Sequence, residues 1–135
     1  AMQRLLGDVN KIIEEMKKYD EVIVSMAEKL EKEVSNLSEV TLWLGSRMLE
    51  GELVDASAAA SPYLKMFGQV LGGYYMGKAA MLANKKFKET NDEFYSDKLT
   101  LSKFYIEQLL PLTSGYASAV KAGKDDLYAM KADNF

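Results

Sequence analysis

The chain contains no histidine and no cysteine, and only 2 prolines among its 135 residues. Histidine is the usual general base near neutral pH and the commonest ligand of transition metals. Without it, Ser-His-Asp triads, zinc sites of the ordinary kind, His-ligated haem and Glu-x-x-His diiron bundles are excluded, so no metal is expected. Without cysteine there are no disulfides, thiolate metal sites or thiol nucleophiles. A reducing cytoplasm fits that composition, and a cytoplasmic location is the expectation.

Charge of one sign is also missing. The net charge is −3, from 17 basic and 20 acidic residues interspersed along the chain. No basic stripe with interleaved aromatics appears, so nucleic acid is not an expected partner. The cluster Lys85-Lys86-Phe87-Lys88 reads as cations at a helix end, where they complement the negative pole of the dipole. No segment is long and apolar enough to suggest a membrane span. The start, Met2-Gln3-Arg4-Leu5-Leu6-Gly7-Asp8, breaks into charge too soon for a signal peptide. Ala1 ahead of Met2 reads as a remnant of recombinant expression, which makes the first residue a chosen boundary.

What is present is apolar surface: 48% of residues are hydrophobic and 10% aromatic, enough for the core of one domain. In the first half, apolar or small residues recur at Met2, Leu5, Val9, Ile12, Met16, Tyr19, Ile23, Met26, Leu30, Val34, Leu37, Thr41, Leu44 and Met48. Steps of three and four place them on one helix face. Asp20 can cap a new helix, so the spacing predicts one helix over about 2–18 and a longer one over about 20–50, closed by Gly51. A third helix is expected from Asp55 to about Lys86, bending at Pro62. Thr90-Asn91-Asp92-Glu93 reads as a capping box with Thr90 as the cap. A last helix then runs over about 91–122. Its inner stripe is Tyr95, Leu99, Ser102, Ile106, Leu109, Thr113, Tyr116 and Val120, with a kink at Pro111 and a stop at Gly123. The tail from Lys124 to Phe135 should add a short turn around Asp125–Met130. No strand pattern appears. The fold class is therefore all-α: a single-domain, up-and-down antiparallel bundle of four to five helices.

Four glycines on the third helix, Gly68, Gly72, Gly73 and Gly77, need a reason, since each lowers helix stability by about 1 kcal/mol relative to alanine. Close approach of a neighbouring helix supplies one. A phosphate loop would need a preceding strand, and none is visible. The adjacent carboxylates Glu14-Glu15, Asp92-Glu93 and Asp125-Asp126 do not face one another on a helix and read as solvated faces or caps. Trp43 and the tyrosines, Tyr63 and Tyr105 among them, combine an apolar body with a polar tip and suit packing or an interface. The candidate packing or interface residues are thus Trp43, Tyr63, Gly68, Gly72, Gly73, Gly77, Tyr105 and Pro111. No catalytic, cofactor-binding or metal-binding residue is assigned.

Four segments, in order, carry a resemblance. Pro62-Tyr63-Leu64-Lys65-Met66-Phe67-Gly68-Gln69-Val70-Leu71-Gly72-Gly73-Tyr74-Tyr75 resembles the pattern PYL-x-L-x-G-x-V-x-GGW in the C-terminal helical region of one group of acyl-CoA dehydrogenases. Thr41-Leu42-Trp43-Leu44 is similar to their ATAWL. The stretch from Lys103 to Pro111, Lys-Phe-Tyr-Ile-Glu-Gln-Leu-Leu-Pro, is similar to ARFYAEHLLP. The stretch from Ala122 to Met130 with Phe135 is similar to their closing AGADSVMAL…F. Tyr74 stands where the family has tryptophan, and this chain is richer in lysine. The resemblance implies a helical C-terminal domain of a flavoenzyme that introduces an α,β double bond into acyl-CoA, in fatty acid metabolism. FAD and the glutamate base would lie in the preceding catalytic domains. It implies no cofactor in this chain, and as partners those upstream domains and a second copy in a homo-oligomer. The residues alone leave a free-standing interaction or dimerisation module as the other reading.

Overall fold

The computed structural model describes residues 2–123 together with 125, 129, 131 and 133. Among these the chain is helical and has no strand. The helices are α1 (Met2–Met16), α2 (Glu21–Leu49), α3 (Leu53–Thr90), α4 (Glu93–Phe104) and α5 (Thr113–Lys121). A π-helical turn (Tyr105–Leu109) and a 3-10 turn (Leu110–Leu112) join the last two. The all-α bundle read from the sequence is the architecture found.

Local chemistry sets most boundaries. Asp20 stands in extended conformation ahead of α2, and its carboxylate accepts from the Ile23 amide at 3.3 Å. The other carboxylate oxygen accepts from the Asn84 side-chain amide at 3.1 Å, tying the α1–α2 turn to α3. At the far end of α2, Gly51 takes φ +81°. Gly51 N–H donates to the Met48 carbonyl at 3.1 Å and Glu52 N–H to the Arg47 carbonyl at 2.9 Å. This pair of bonds closes a helix over a left-handed glycine. Gly123 follows α5 with φ +80°, in the same conformation.

Three boundaries differ from the sequence expectation. α3 starts at Leu53 rather than Asp55, with Glu52 ahead of it and no side-chain cap bond. The helix is unbroken through Pro62 and runs four residues past Lys86, to Thr90. Thr90 therefore ends α3 instead of capping α4. Its hydroxyl donates back to the Lys86 carbonyl at 2.8 Å, Asn91 adopts the left-handed conformation at φ 57°, and Asp92 is the cap, accepting from the Phe94 amide at 3.0 Å. Asp outcompetes Thr here because an ionised carboxylate also meets the positive pole of α4. The turn expected around Asp125–Met130 falls on residues that, apart from 125 and 129, lie outside those described.

The last helix is broken where Pro111 was expected to bend it. Proline cannot donate to the carbonyl of the preceding turn. The chain widens first: Leu110 N–H reaches back to the Tyr105 carbonyl, five residues away. That extra width moves the inward position, so Leu110 is buried and Leu109 faces outward, the reverse of the expected stripe.

Contacts along the rods fix their directions. Asp20 meets Asn84, Leu30 meets Gly73 and Thr41 meets Tyr63, so α2 and α3 run antiparallel. Gly72 meets Tyr105, and the Lys65 ammonium lies 5.9 Å over the Tyr116 ring, so α4 and α5 run antiparallel to α3. α1 packs Ile12 and Met16 against Gly77 of α3. The core lies between α2 and α3, with Ile23, Met26, Leu30, Val34 and Leu37 facing Met66, Val70 and Ala80, all buried.

Candidate functional site

The residues singled out in the sequence fall into three places. Gly72, Gly73, Gly77 and Tyr105 sit at the helix crossings in the middle of the bundle. A Cβ on Gly72 would lie 2.7 Å from the ring carbon Cζ of Tyr105. One on Gly73 would lie 2.8 Å from Leu30 Cδ1, and one on Gly77 2.8 Å from Met16 Sδ. The Tyr105 hydroxyl donates to the Gln69 carbonyl at 2.7 Å, and burial raises its pKa. Gly68 differs: it is exposed, and a Cβ there would meet nothing within 4 Å, so close packing does not account for it. Pro111 lies exposed on the 3-10 turn, beside a hollow of about 190 Å³ bordered by Lys29, Lys32, Glu33, Ile106 and Leu110. Glu33 there is buried but satisfied, accepting from Ser114 Oγ at 3.0 Å and Asn36 Nδ2 at 3.3 Å.

Trp43 and Tyr63 mark the third place, which is open. Lys121, the last residue of α5, pairs with Glu39. Past that level, among the described helices, α2 and α3 continue as a two-helix tip. Thr41, Leu44, Gly45 and Met48 from α2 and Ala56, Ala60, Tyr63 and Leu64 from α3 line a cleft of about 470 Å³ between them. Its small residues are the cause: Gly45, Ala56 and Ala60 leave the helices too little side chain to fill the gap.

The polar atoms of the cleft are already used. Thr41 donates to the Leu37 carbonyl at 2.7 Å, which leaves the Tyr63 hydroxyl to donate to Thr41 at 2.8 Å. Arg47 lies over the Trp43 ring at 5.9 Å and pairs with Glu50 at 3.3 Å. What remains is hydrocarbon: Leu49 is 92% exposed, Leu42 76%, Leu64 68% and Leu53 62%. The sequence reading missed these four leucines because it followed the inward stripe. The signal was there in Leu42 and Leu49, which lie off that stripe among residues too apolar for a solvated face.

The arrangement is suited to docking more than to chemistry. Among the described residues no group of three metal-ligating side chains converges, and no helix is long and apolar enough to cross a membrane. Concentrated exposed leucine around an apolar cleft, beside the paired Arg47 and Glu50, makes this the largest run of exposed apolar side chains described at one end of α2 and α3.

Comparison with known sequence families gives one match: the family described as "Acetyl-CoA dehydrogenase C-terminal like" covers residues 5–131. No curated protein and no solved structure matches the chain.

Proposed function

Because the chain belongs to the acetyl-CoA dehydrogenase C-terminal-like family, we propose that it is the non-catalytic helical domain following the catalytic core of an FAD-dependent acyl-CoA dehydrogenase. Its role is to pack on that core through the α2–α3 tip. The observation that carries this reading is the tip itself, with its apolar cleft and its four leucines each more than 60% exposed. Full burial of a leucine contributes about 1.5–3 kcal/mol. Covering the four supplies on the order of 5 kcal/mol, enough to hold a domain already tethered to its partner.

The flavin and the base that takes the α proton belong, in this reading, to the preceding domains. This chain provides neither; it has no histidine or cysteine with which to add to the chemistry. The test is the reading frame upstream of Met2 together with its product. The continuous polypeptide is expected to carry FAD and to oxidise an acyl-CoA, and the isolated chain to do neither. An upstream frame that encodes no flavoenzyme, or tight stoichiometric FAD binding by the isolated chain, would overturn the proposal.

A further inference from the structure

The foot of the tip is also where α1 begins. Met16 of α1 meets Gly77 of α3, and Asp20, one turn on, meets Asn84, about two turns on, so α1 runs in the same direction as α3. Met2 precedes Met16 by as many residues as Tyr63 precedes Gly77, about 21 Å of helix. The first residue of α1 therefore stands level with Tyr63, which lines the cleft. Leu5 and Leu6 pack against the core, so α1 is held at this level from its first turns.

A polypeptide that leads into α1 thus arrives beside the open cleft. The tip rises about 12 Å from Thr41 to Leu49, which about four extended residues span. The cleft walls set the chemistry of the occupant. Leu44, Met48, Ala56, Ala60 and Leu64 are apolar, and the Thr41 and Tyr63 hydroxyls are bonded to each other at 2.8 Å. An occupant gains by burying hydrocarbon there and loses by bringing in a charge that finds no partner. A separate molecule must reach this cleft by diffusion. A segment tethered a few residues away is present at an effective concentration of about a millimolar, enough to hold a contact too weak to join separate molecules.

We propose that the tip is covered in cis, by the stretch of the same polypeptide directly preceding Met2, which lays uncharged apolar side chains into the α2–α3 cleft. This rests on the reading of the chain as a domain that follows a catalytic core, and it names which part of that protein the cleft receives. Thiol labelling of the continuous polypeptide tests it, with Met48→Cys reporting from the cleft wall and Lys11→Cys from the exposed side of α1. Position 48 is expected to label slowly, at a rate independent of protein concentration. A flexible Gly-Ser stretch of about 30 residues inserted directly before Met2 lowers the effective concentration, and should speed labelling at position 48 about tenfold while leaving position 11 unchanged. Three results would overturn the proposal: fast labelling at position 48 without the insertion, slow labelling that the insertion leaves slow, or labelling that quickens on dilution in step with dissociation of an oligomer. FAD content and acyl-CoA oxidation of the same samples report on the functional reading separately. A polypeptide with neither, but with a slow and insertion-sensitive position 48, would overturn that reading and support the cis contact.

Discussion

Among single residues, the glycines of α3 separate by what their missing Cβ would strike. Alanine is intrinsically better in a helix by about 1 kcal/mol. At Gly68 nothing opposes that gain, so Gly68→Ala should stabilise the chain by about 0.5–1 kcal/mol in urea unfolding. At Gly72 the new methyl would meet the rigid Tyr105 ring, which cannot retreat without giving up its bond to the Gln69 carbonyl. Overpacking of this kind costs about 1–3 kcal/mol, so Gly72→Ala should be a net loss. Gly73 and Gly77 should fall between, because Leu30, Leu110 and Met16 can turn aside. Equal stabilisation at all four positions would show that the crossings are looser than described.

Tyr105 also gives the fold a pH dependence. Burial holds its phenol above the ordinary value of 10.0, so the folded state favours the neutral form. The stability this contributes is complete below the unfolded pKa and is lost as pH rises through the folded one. Tyr105→Phe should be less stable than the wild type near neutrality, by about 1 kcal/mol for the lost hydrogen bond. The difference should shrink above about pH 10, as the buried phenol of the wild type ionises. A difference that stays constant through that range would contradict the assignment.

At the scale of elements, the helix ends show how much local chemistry decides. Asp92→Ala, which removes the carboxylate at the start of α4, should cost about 1 kcal/mol. Thr90→Ala should cost less, since the Thr90 hydroxyl donates back to α3 and accepts from the Asp92 amide in the turn, whereas the Asp92 carboxylate caps α4 itself. Thermal unfolding of the two variants distinguishes them, and the reverse order would reinstate Thr90 as the cap. The α1–α2 break was legible because Asp20 interrupts a periodic stripe, and the end of α2 because glycine takes the left-handed turn there. The start of α3 was not, because Leu53 begins it without any capping side chain. Nor was the exchange of Leu109 for Leu110, since a stripe with steps of three and four accommodates either residue. Only the widened turn ahead of Pro111 decides between them.

At the scale of the whole molecule, the described helices form a bundle whose α2–α3 end exposes apolar side chains. Its middle, where glycine lets α3 meet α1, α2 and the π turn, accounts for why the fold holds. Its tip accounts for why an apolar surface remains. The fold class and the family were legible in the sequence, the first from periodicity and the second from motifs. The apolar tip was half legible: Tyr63 and Trp43, which lie there, were singled out, whereas the exposed leucines were not. A leucine facing solvent and one facing the core look alike until the register of the partner helix is known.

The absence of cysteine makes the central claim directly measurable. Leu49→Cys places one thiol at the tip, on the most exposed apolar side chain of the described residues, in a chain with no other thiol. Its alkylation rate can be followed by mass spectrometry of the peptide that carries it, in the isolated chain and in the continuous polypeptide with the preceding domains. A Lys11→Cys variant, on the exposed side of α1, serves as reference. Docking of the tip predicts that attachment of those domains slows labelling at position 49 by at least about tenfold relative to position 11, the effect of a contact worth 1.4 kcal/mol or more. Equal slowing at both positions, or none at either, would contradict it.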